Sequence, residues 1–260
     1  MRKTMRPELN CYDLGPRVTA FSTTRRGGYS EGNYGELNVN AYCGDSPEAI
    51  RKNRELLCEW LQCSDIILPH QVHGTVVRAI TPSLLSLSPD ERQQQLEGVD
   101  AVMTDVKGIC IGVSTADCIP IILYDPQHDC AAVVHAGWRG TVARIAEKAV
   151  AAMQQTYHSV AAQMQAVVGP GISLDAFEVG QEVYDQFAEA GFPMDAIARQ
   201  QAKWHIDLPR CNQMQLESCG IPASAIRQTG ICTYSNSDRY FSARRLGIAS
   251  GRICTAIVIH

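Results

Sequence analysis

Two apolar runs, Ile119-Pro-Ile-Ile-Leu-Tyr124 and Cys130-Ala-Ala-Val-Val134, are separated only by Asp125-Pro-Gln-His-Asp129. Short β-branched runs bounded by turn residues read as an antiparallel hairpin. The same pattern precedes it, with Val99 to Thr104 and Ile109 to Ser114 flanking Asp105-Val-Lys-Gly108, so the middle of the chain is expected to be a sheet of hairpins. A turn at 125–129 sets a register in which Tyr124 faces Asp129, Leu123 faces Cys130 and Cys118 faces His135. Opposed residues share a sheet face with Cβ atoms about 4.5–5.5 Å apart, so this hairpin places a thiol beside an imidazole at its open end. A slip of one residue would send the two side chains to opposite faces.

Two chemistries use such a pair: a cysteine nucleophile with a histidine base, or two ligands of a soft divalent metal. A third ligand decides between them. Pro69-His-Gln-Val-His-Gly74 offers His70 and His73, which point to opposite faces of an extended chain, so only one of them can face a given site.

The surrounding sequence predicts how this hairpin is covered. Val18 to Ser22 is expected to be a strand leading into the Gly-rich loop Thr24-Arg-Arg-Gly-Gly-Tyr-Ser-Glu-Gly32. Ser46 caps a helix with Pro47 at its first position and Ile50, Leu57 and Leu61 on one face. Strand character returns around Val76-Val77, and the Ser-, Pro- and Gln-rich stretch 81–97 reads as a loop. A helix is expected from near Thr141, with others near Gly180 to Ala190 and Arg210 to Cys219. Further strands are expected at Gln165 to Val168, His205 to Leu208, Ile231 to Tyr234 and Cys254 to Ile259. Hairpins and helices without regular β-α alternation indicate an α+β fold, read as one domain over 1–260.

Composition removes several function classes. Lys+Arg 23 against Asp+Glu 27 gives a net charge of -4 and a pI near 6.0, which offers no global attraction to nucleic acid or an anionic membrane. No apolar run reaches the roughly 18 residues of a membrane helix, and the first residues lack an apolar leader, so a cytoplasmic location is expected. The 11 cysteines are odd in number and include no C-x-x-C, which indicates reduced, mainly packed thiols rather than a disulfide framework. No obligate protein partner is evident.

Gln71-Val-His-Gly74, Thr115-Ala-Asp-Cys118 and Val134-His-Ala-Gly-Trp-Arg-Gly140 closely resemble the motifs of the bacterial laccase-domain family. That family is also called polyphenol oxidase or multicopper-oxidase-like, is described as purine nucleoside phosphorylases, and includes peptidoglycan-editing-factor-like members. Flanking segments agree: Thr23-Thr-Arg-Arg-Gly-Gly28, Leu37-Asn38, Gly44-Asp45, Asn53-Arg54, Gly98-Val-Asp-Ala101, Gly169-Pro-Gly-Ile172, Phe177-Glu-Val-Gly180 and Phe241-Ser-Ala-Arg-Arg245. The resemblance implies a four-layer α/β/β/α sandwich with mixed sheets rich in hairpins. It also implies a metal site, usually zinc, on His73, Cys118 and His135, with His70 outside it. The implied substrates are adenosine, inosine and methylthioadenosine cleaved with phosphate, together with adenosine deamination.

The residues bear on those implications. Three protein ligands with an open position suit a catalytic metal that activates water. The zinc nucleobase deaminase signature, H-x-E with P-C-x-x-C, is absent, which excludes that fold but not the reaction. A multicopper oxidase carries about ten histidines in H-x-H and H-C-H patterns, whereas this chain has His 7 and no H-x-H, so copper is expected only as an adventitious ligand in vitro. Phosphate needs cationic partners, for which Arg25, Arg26, Arg139, Arg244 and Arg245 are the candidates. Trp138 and Phe177 are candidates to stack on a purine. The alternatives are a Cys-His hydrolase, such as an amidase editing a cell-wall precursor with Cys118 as nucleophile, and a non-enzymatic zinc-stabilised binding module.

Overall fold

The computed structural model describes residues 5–260. Its strands are β1 (Leu9–Tyr12), β2 (Val18–Thr23), β3 (Ile66–Ile67), β4 (Val77–Ala79), β5 (Ala101–Thr104), β6 (Cys110–Thr115) and β7 (Ile119–Asp125). There follow β8 (Cys130–Ala136), β9 (Gln165–Val168), β10 (Glu178–Val179), β11 (Ala198–Gln200), β12 (Trp204–Ile206), β13 (Ile226–Gln228) and β14 (Ile253–Ile259). The helices are α1 (Pro47–Leu61), α2 (Pro82–Leu85), α3 (Pro89–Gln95), α4 (Trp138–Val142), α5 (Ile145–Tyr157), α6 (Gln181–Glu189), α7 (Met194–Ile197), α8 (Leu208–Ser218) and α9 (Ala243–Leu246).

The strands form a five-stranded sheet in the order β1-β2-β14-β6-β3 and a six-stranded sheet in the order β13-β9-β7-β8-β5-β4, with β10-β12-β11 as a small third sheet. Both large sheets mix parallel and antiparallel pairs. Alternation along the strands divides the core. In β7 and β8, Ile119, Ile121, Leu123, Cys130, Ala132, Val134 and Ala136 pack toward α5, α6 and α8. Ile122, Tyr124, Ala131 and Val133 turn the other way and meet Ala20, Ile111, Val113, Ile257 and Ile259 of the second sheet. That sheet's outer side, with Phe21, Ile66, Cys110, Ala256 and Val258, is covered by Leu57 and Leu61 of α1. The result is the expected α/β/β/α layering. All seven residues of β7 and of β8 are buried, which explains their continuous apolar runs.

Several elements differ from expectation. The stretch 81–97 is not a loop, since it holds α2 and α3, each started by a hydroxyl cap followed by proline. Thr81 accepts the N–H of Leu84, and Ser88 forms a reciprocal capping box with Glu91. The helix expected near Thr141 is two helices, broken at Arg144, which adopts φ 63°. Ile231 to Tyr234 contributes only a bridge between Cys232 and Gly171. The amino-terminal strand β1 had no strong sequence signal.

The β7–β8 register is also shifted. Asp125 pairs with Cys130 and Pro120 with His135, two residues from the expected pairing, and Cys118 lies just beyond the strand. The cause is Asp125, which ends the strand rather than entering the turn. Its buried carboxylate accepts the N–H groups of Gln127 and His128 and meets the His128 ring at 2.7 Å, leaving 126–129 as the loop with Asp129 at φ 52°. Because the side-chain period is two, a shift of two preserves the faces. Cys118 and His135 therefore both stay on the side facing the other sheet.

α1 also anchors the chain that walls the cleft described below. Asn53, fully buried, donates to Ser30 Oγ at 2.9 Å and to the Asn38 carbonyl at 2.8 Å, while its oxygen accepts the Tyr29 N–H at 2.7 Å. Removing it leaves buried groups without partners, so Asn53→Ala should cost about 3 kcal/mol. In a chain of this size that corresponds to a fall in Tm of roughly 6–12 °C, which differential scanning calorimetry reads directly.

Candidate metal centre

His73, Cys118 and His135 reach one point from three segments of the chain. Their ligand atoms all lie within 4.8 Å of one another, the one such group of three or more His, Cys, Asp or Glu among the described residues. The two imidazoles meet edge to face with ring centroids 4.9 Å apart. His135 comes from the end of β8 and is buried, Cys118 from the loop before β7 and is half-buried, and His73 from the irregular stretch before β4 and is exposed.

Each position has a local cause. Asp117, at φ 90°, accepts the Thr233 hydroxyl and the Arg244 N–H, both at 2.7 Å, and so fixes the loop that delivers Cys118. The Gln71 side chain pairs with both main-chain groups of Ser114, at 2.8 Å each, tying the histidine segment to β6. Gly137 leaves the space. A Cβ there would lie 2.8 Å from His73 Cδ2 and 3.1 Å from Cys118 Sγ, so any other residue would push into the cluster.

Behind the cluster stands Asp100, fully buried just before β5. One oxygen lies 2.8 Å from His135 Nδ1 and accepts the His73 N–H at 2.9 Å, and the other accepts the N–H groups of Gly74 at 2.7 Å and Val72 at 3.3 Å. A single carboxylate therefore orients one histidine ring and holds the backbone of the other, whose φ of 63° needs such support. With Nδ1 bound to Asp100, the lone pair of His135 is on Nε2, as in carboxylate–histidine–metal arrangements. Burial would raise the Asp100 pKa, but His135 and the backbone donors hold it below the usual carboxylate range. Burial would likewise raise the Cys118 thiol, yet the His135 and His73 imidazoles bring it down to about 6. His135, which burial would lower, is pushed up to about 9 by Cys118 and Asp100. One thiolate sulfur and two imidazole nitrogens, with room kept by Gly137, fit a soft divalent metal, whose binding would displace the proton that the raised His135 otherwise keeps.

The cluster opens into a cleft of about 250 Å³ lined also by Asn40, Tyr42, His70, Gln71, Ser114, Thr115, Ile248 and Arg252. His70, expected outside the ligand set, stacks on Tyr42 at 4.3 Å and pairs with Glu97 at 2.6 Å. The five arginines singled out in the sequence do not line this cleft. Arg25 donates to the carbonyls of Gly35 and Ser237 and sits over Phe241, and Arg26 pairs with exposed Asp238. Arg139 lies over Trp138, Arg244 donates to the Glu178 carbonyl and lies over Phe177, and Arg245 reaches Tyr234. Phe177 belongs to the core under the outer helices, and Trp138, partly buried, packs against that core. Sequence reasoning gave no role to Asp100 or Arg252. The signal for Asp100 was an acidic residue opening a buried strand in Gly98-Val-Asp-Ala101, whereas Arg252 carried none.

The profile of the family described as multi-copper polyphenol oxidoreductase laccase matches residues 19–260. The chain belongs to this family. A protein of Bacteroides thetaiotaomicron named purine nucleoside phosphorylase is 44% identical over 248 residues, covering 94% of this chain and 92% of that one. A protein of an unknown prokaryotic organism named adenosine deaminase RL5 is 42% identical, covering 92% and 93%. The crystal structure of Bacillus licheniformis hypothetical protein YfiH superposes with a TM-score of 0.91 at 26% identity, covering 98% and 97%. That of YlmD from Geobacillus stearothermophilus gives 0.86 at 29%, covering 94% and 92%. No helix among the described residues is long and apolar enough to cross a membrane.

Proposed function

We propose that this chain is a zinc-dependent purine nucleoside phosphorylase that cleaves adenosine, inosine and methylthioadenosine with phosphate, and that the same site deaminates adenosine. The observation that carries this reading is the convergence of His73, Cys118 and His135 within 4.8 Å at an accessible cleft. The names of the relatives supply the reaction class.

A metal held by these three residues would supply Lewis acidity and, for deamination, activation of water. The chain's own residues do the rest. Asp100 keeps a proton at His135 Nδ1 and prevents that ring from rotating out of the set. Tyr42, backed by His70, and Ile248 give the cleft an aromatic and an aliphatic wall against which a purine and its ribose can be held, leaving the polar side to the reacting groups. The Gln71 side chain, paired with the Ser114 backbone, fixes the spacing between the histidine segment and β6, so bound substrate and ligands keep one geometry.

Purified protein should release hypoxanthine from inosine only when phosphate is present, with ribose 1-phosphate as the co-product. Chelation should reduce the rate by on the order of 100-fold and zinc should restore it. Release of hypoxanthine that ignores both phosphate and chelator contradicts the reading.

A second reading has one observation in its favour. Asp100, His135 and Cys118 stand in the sequence of orienting carboxylate, base and thiol used by cysteine hydrolases. His73 has no task in that dyad, but it completes a metal set.

A further inference from the structure

We infer that the end of the cleft beside Arg252 is an oxyanion site for free orthophosphate, an assignment that rests on the phosphorolytic reading above. Arg252 immediately precedes β14, and Ser114 pairs with Cys254 across β6 and β14, so Arg252 and Ser114 are diagonal neighbours on one sheet face. Both line the cleft that contains the metal cluster.

The guanidinium is positioned but not neutralised. Its Nη1 donates to the carbonyls of Ser250 at 2.6 Å and Gly251 at 3.0 Å, and its Nη2 to the Ile248 carbonyl at 2.9 Å. Of the five N–H groups an arginine carries, those bonds leave Nε–H and one Nη2–H, and Nε and Nη2 share one edge of the fork. Among the described residues neither has an acceptor, and no carboxylate forms an ion pair with Arg252. That edge is the one that binds two oxygens of an anion side by side.

Further unused donors face the same space. Among the described residues the Ser114 hydroxyl, on the sheet face of Arg252, has no hydrogen-bond partner, although the residue is only 6% exposed. An unpartnered buried hydroxyl is unfavourable unless a ligand completes it. Asn40, also in the lining, spends its carbonyl on the Tyr42 N–H and leaves its amide without an acceptor among the described residues. Among the described residues no Asp or Glu lines the cleft. A cation, a hydroxyl and an amide with no competing carboxylate describe an oxyanion site, and an oxyanion bound there shares the cleft with any nucleoside bound near the metal cluster.

Isothermal titration with orthophosphate, and the KM for phosphate in inosine phosphorolysis, test the assignment on wild-type, Arg252→Gln, Ser114→Ala and, as a surface control, Arg199→Gln chains. Arg252→Gln should weaken phosphate binding and raise its KM by about tenfold or more, and Ser114→Ala by about threefold, with zinc content retained. Arg199→Gln, which removes only an exposed pair with Asp175, should stay within about twofold. Should Arg252→Gln not fold, Ser114→Ala decides alone. Wild-type values in both cleft variants overturn the site while leaving the phosphorylase reading intact. A wild type that binds orthophosphate through Arg252 but does not phosphorolyse inosine supports the site and removes that reading. Failure of the wild type to bind orthophosphate, or Arg252-dependent binding of inosine 5′-monophosphate without binding of orthophosphate, overturns the assignment.

Discussion

An Asp100→Ala chain is expected to lose both metal affinity and a large share of its stability. The carboxylate is fully buried and serves four donors, His135 Nδ1–H and the N–H groups of Val72, His73 and Gly74. Removing it strands those donors away from water, at a cost on the order of 3–5 kcal/mol. In a chain of this length the corresponding fall in Tm is roughly 6–20 °C. The site suffers separately, because His135 loses the partner that fixes its tautomer and His73 loses the support for its left-handed backbone. Zinc affinity should fall by about 10–100-fold, the usual effect of deleting a carboxylate behind a metal-bound histidine. Asp100→Asn separates the two effects. Its one oxygen can still accept the Val72 and Gly74 N–H groups while its amide nitrogen replaces the oxygen that faced His73 and His135, so part of the stability should return while zinc affinity stays low. Calorimetry and competition with a zinc chelator read these outcomes, and equal zinc affinity in all three chains would contradict the orienting role.

The second large effect concerns the reactivity of Cys118. The thiol borders the cleft and is half-buried, so a small alkylating reagent can reach it. As a metal ligand its lone pairs are engaged and it should react slowly in zinc-replete protein. After chelation it stands as a thiolate beside two imidazoles and should react on the order of 100-fold faster. The other cysteines give an internal scale, since Cys110, Cys211 and Cys254 are fully buried and their thiols are pushed up by their surroundings. Mass spectrometry of alkylated peptides at intervals gives both rates. Fast alkylation in zinc-replete protein, together with a trapped thioester at Cys118, would favour the Cys-His hydrolase instead.

The sequence made the hairpin around Cys118 and His135 legible because local signals agree there: apolar runs of strand length, a turn rich in Asp and Pro, and both faces buried. The error in register came from Asp125, whose bonds to the N–H groups of 127 and 128 form a local Asx-type turn that an ordinary turn composition does not reveal. Helices α2 and α3 were missed for a similar reason, as Ser and Pro were read as loop residues although Thr81-Pro82 and Ser88-Pro89 are helix starts. The His-Cys-His cluster was legible as a candidate because Cys and His by type suit a metal and because the family resemblance implied His73 and not His70. Asp100 and Arg252 were not, since their roles depend on what lies across the fold from them: Asp100 on the 72–74 backbone, and Arg252 on the absence of any carboxylate near it. The arginines that were singled out stand in motif-rich segments, yet several of them serve backbone carbonyls and aromatic faces.

The central claim is that His73, Cys118 and His135 form one metal site on which activity depends. Its most direct test is elemental analysis of purified wild-type and Cys118→Ala protein after zinc loading and desalting, with inosine phosphorolysis measured on the same samples. The account predicts about one zinc per wild-type chain, close to none in the variant, and loss of phosphorolysis with the metal. A Cys118→Ala chain that keeps full zinc occupancy, or a wild-type chain that phosphorolyses inosine at full rate without metal, would contradict it.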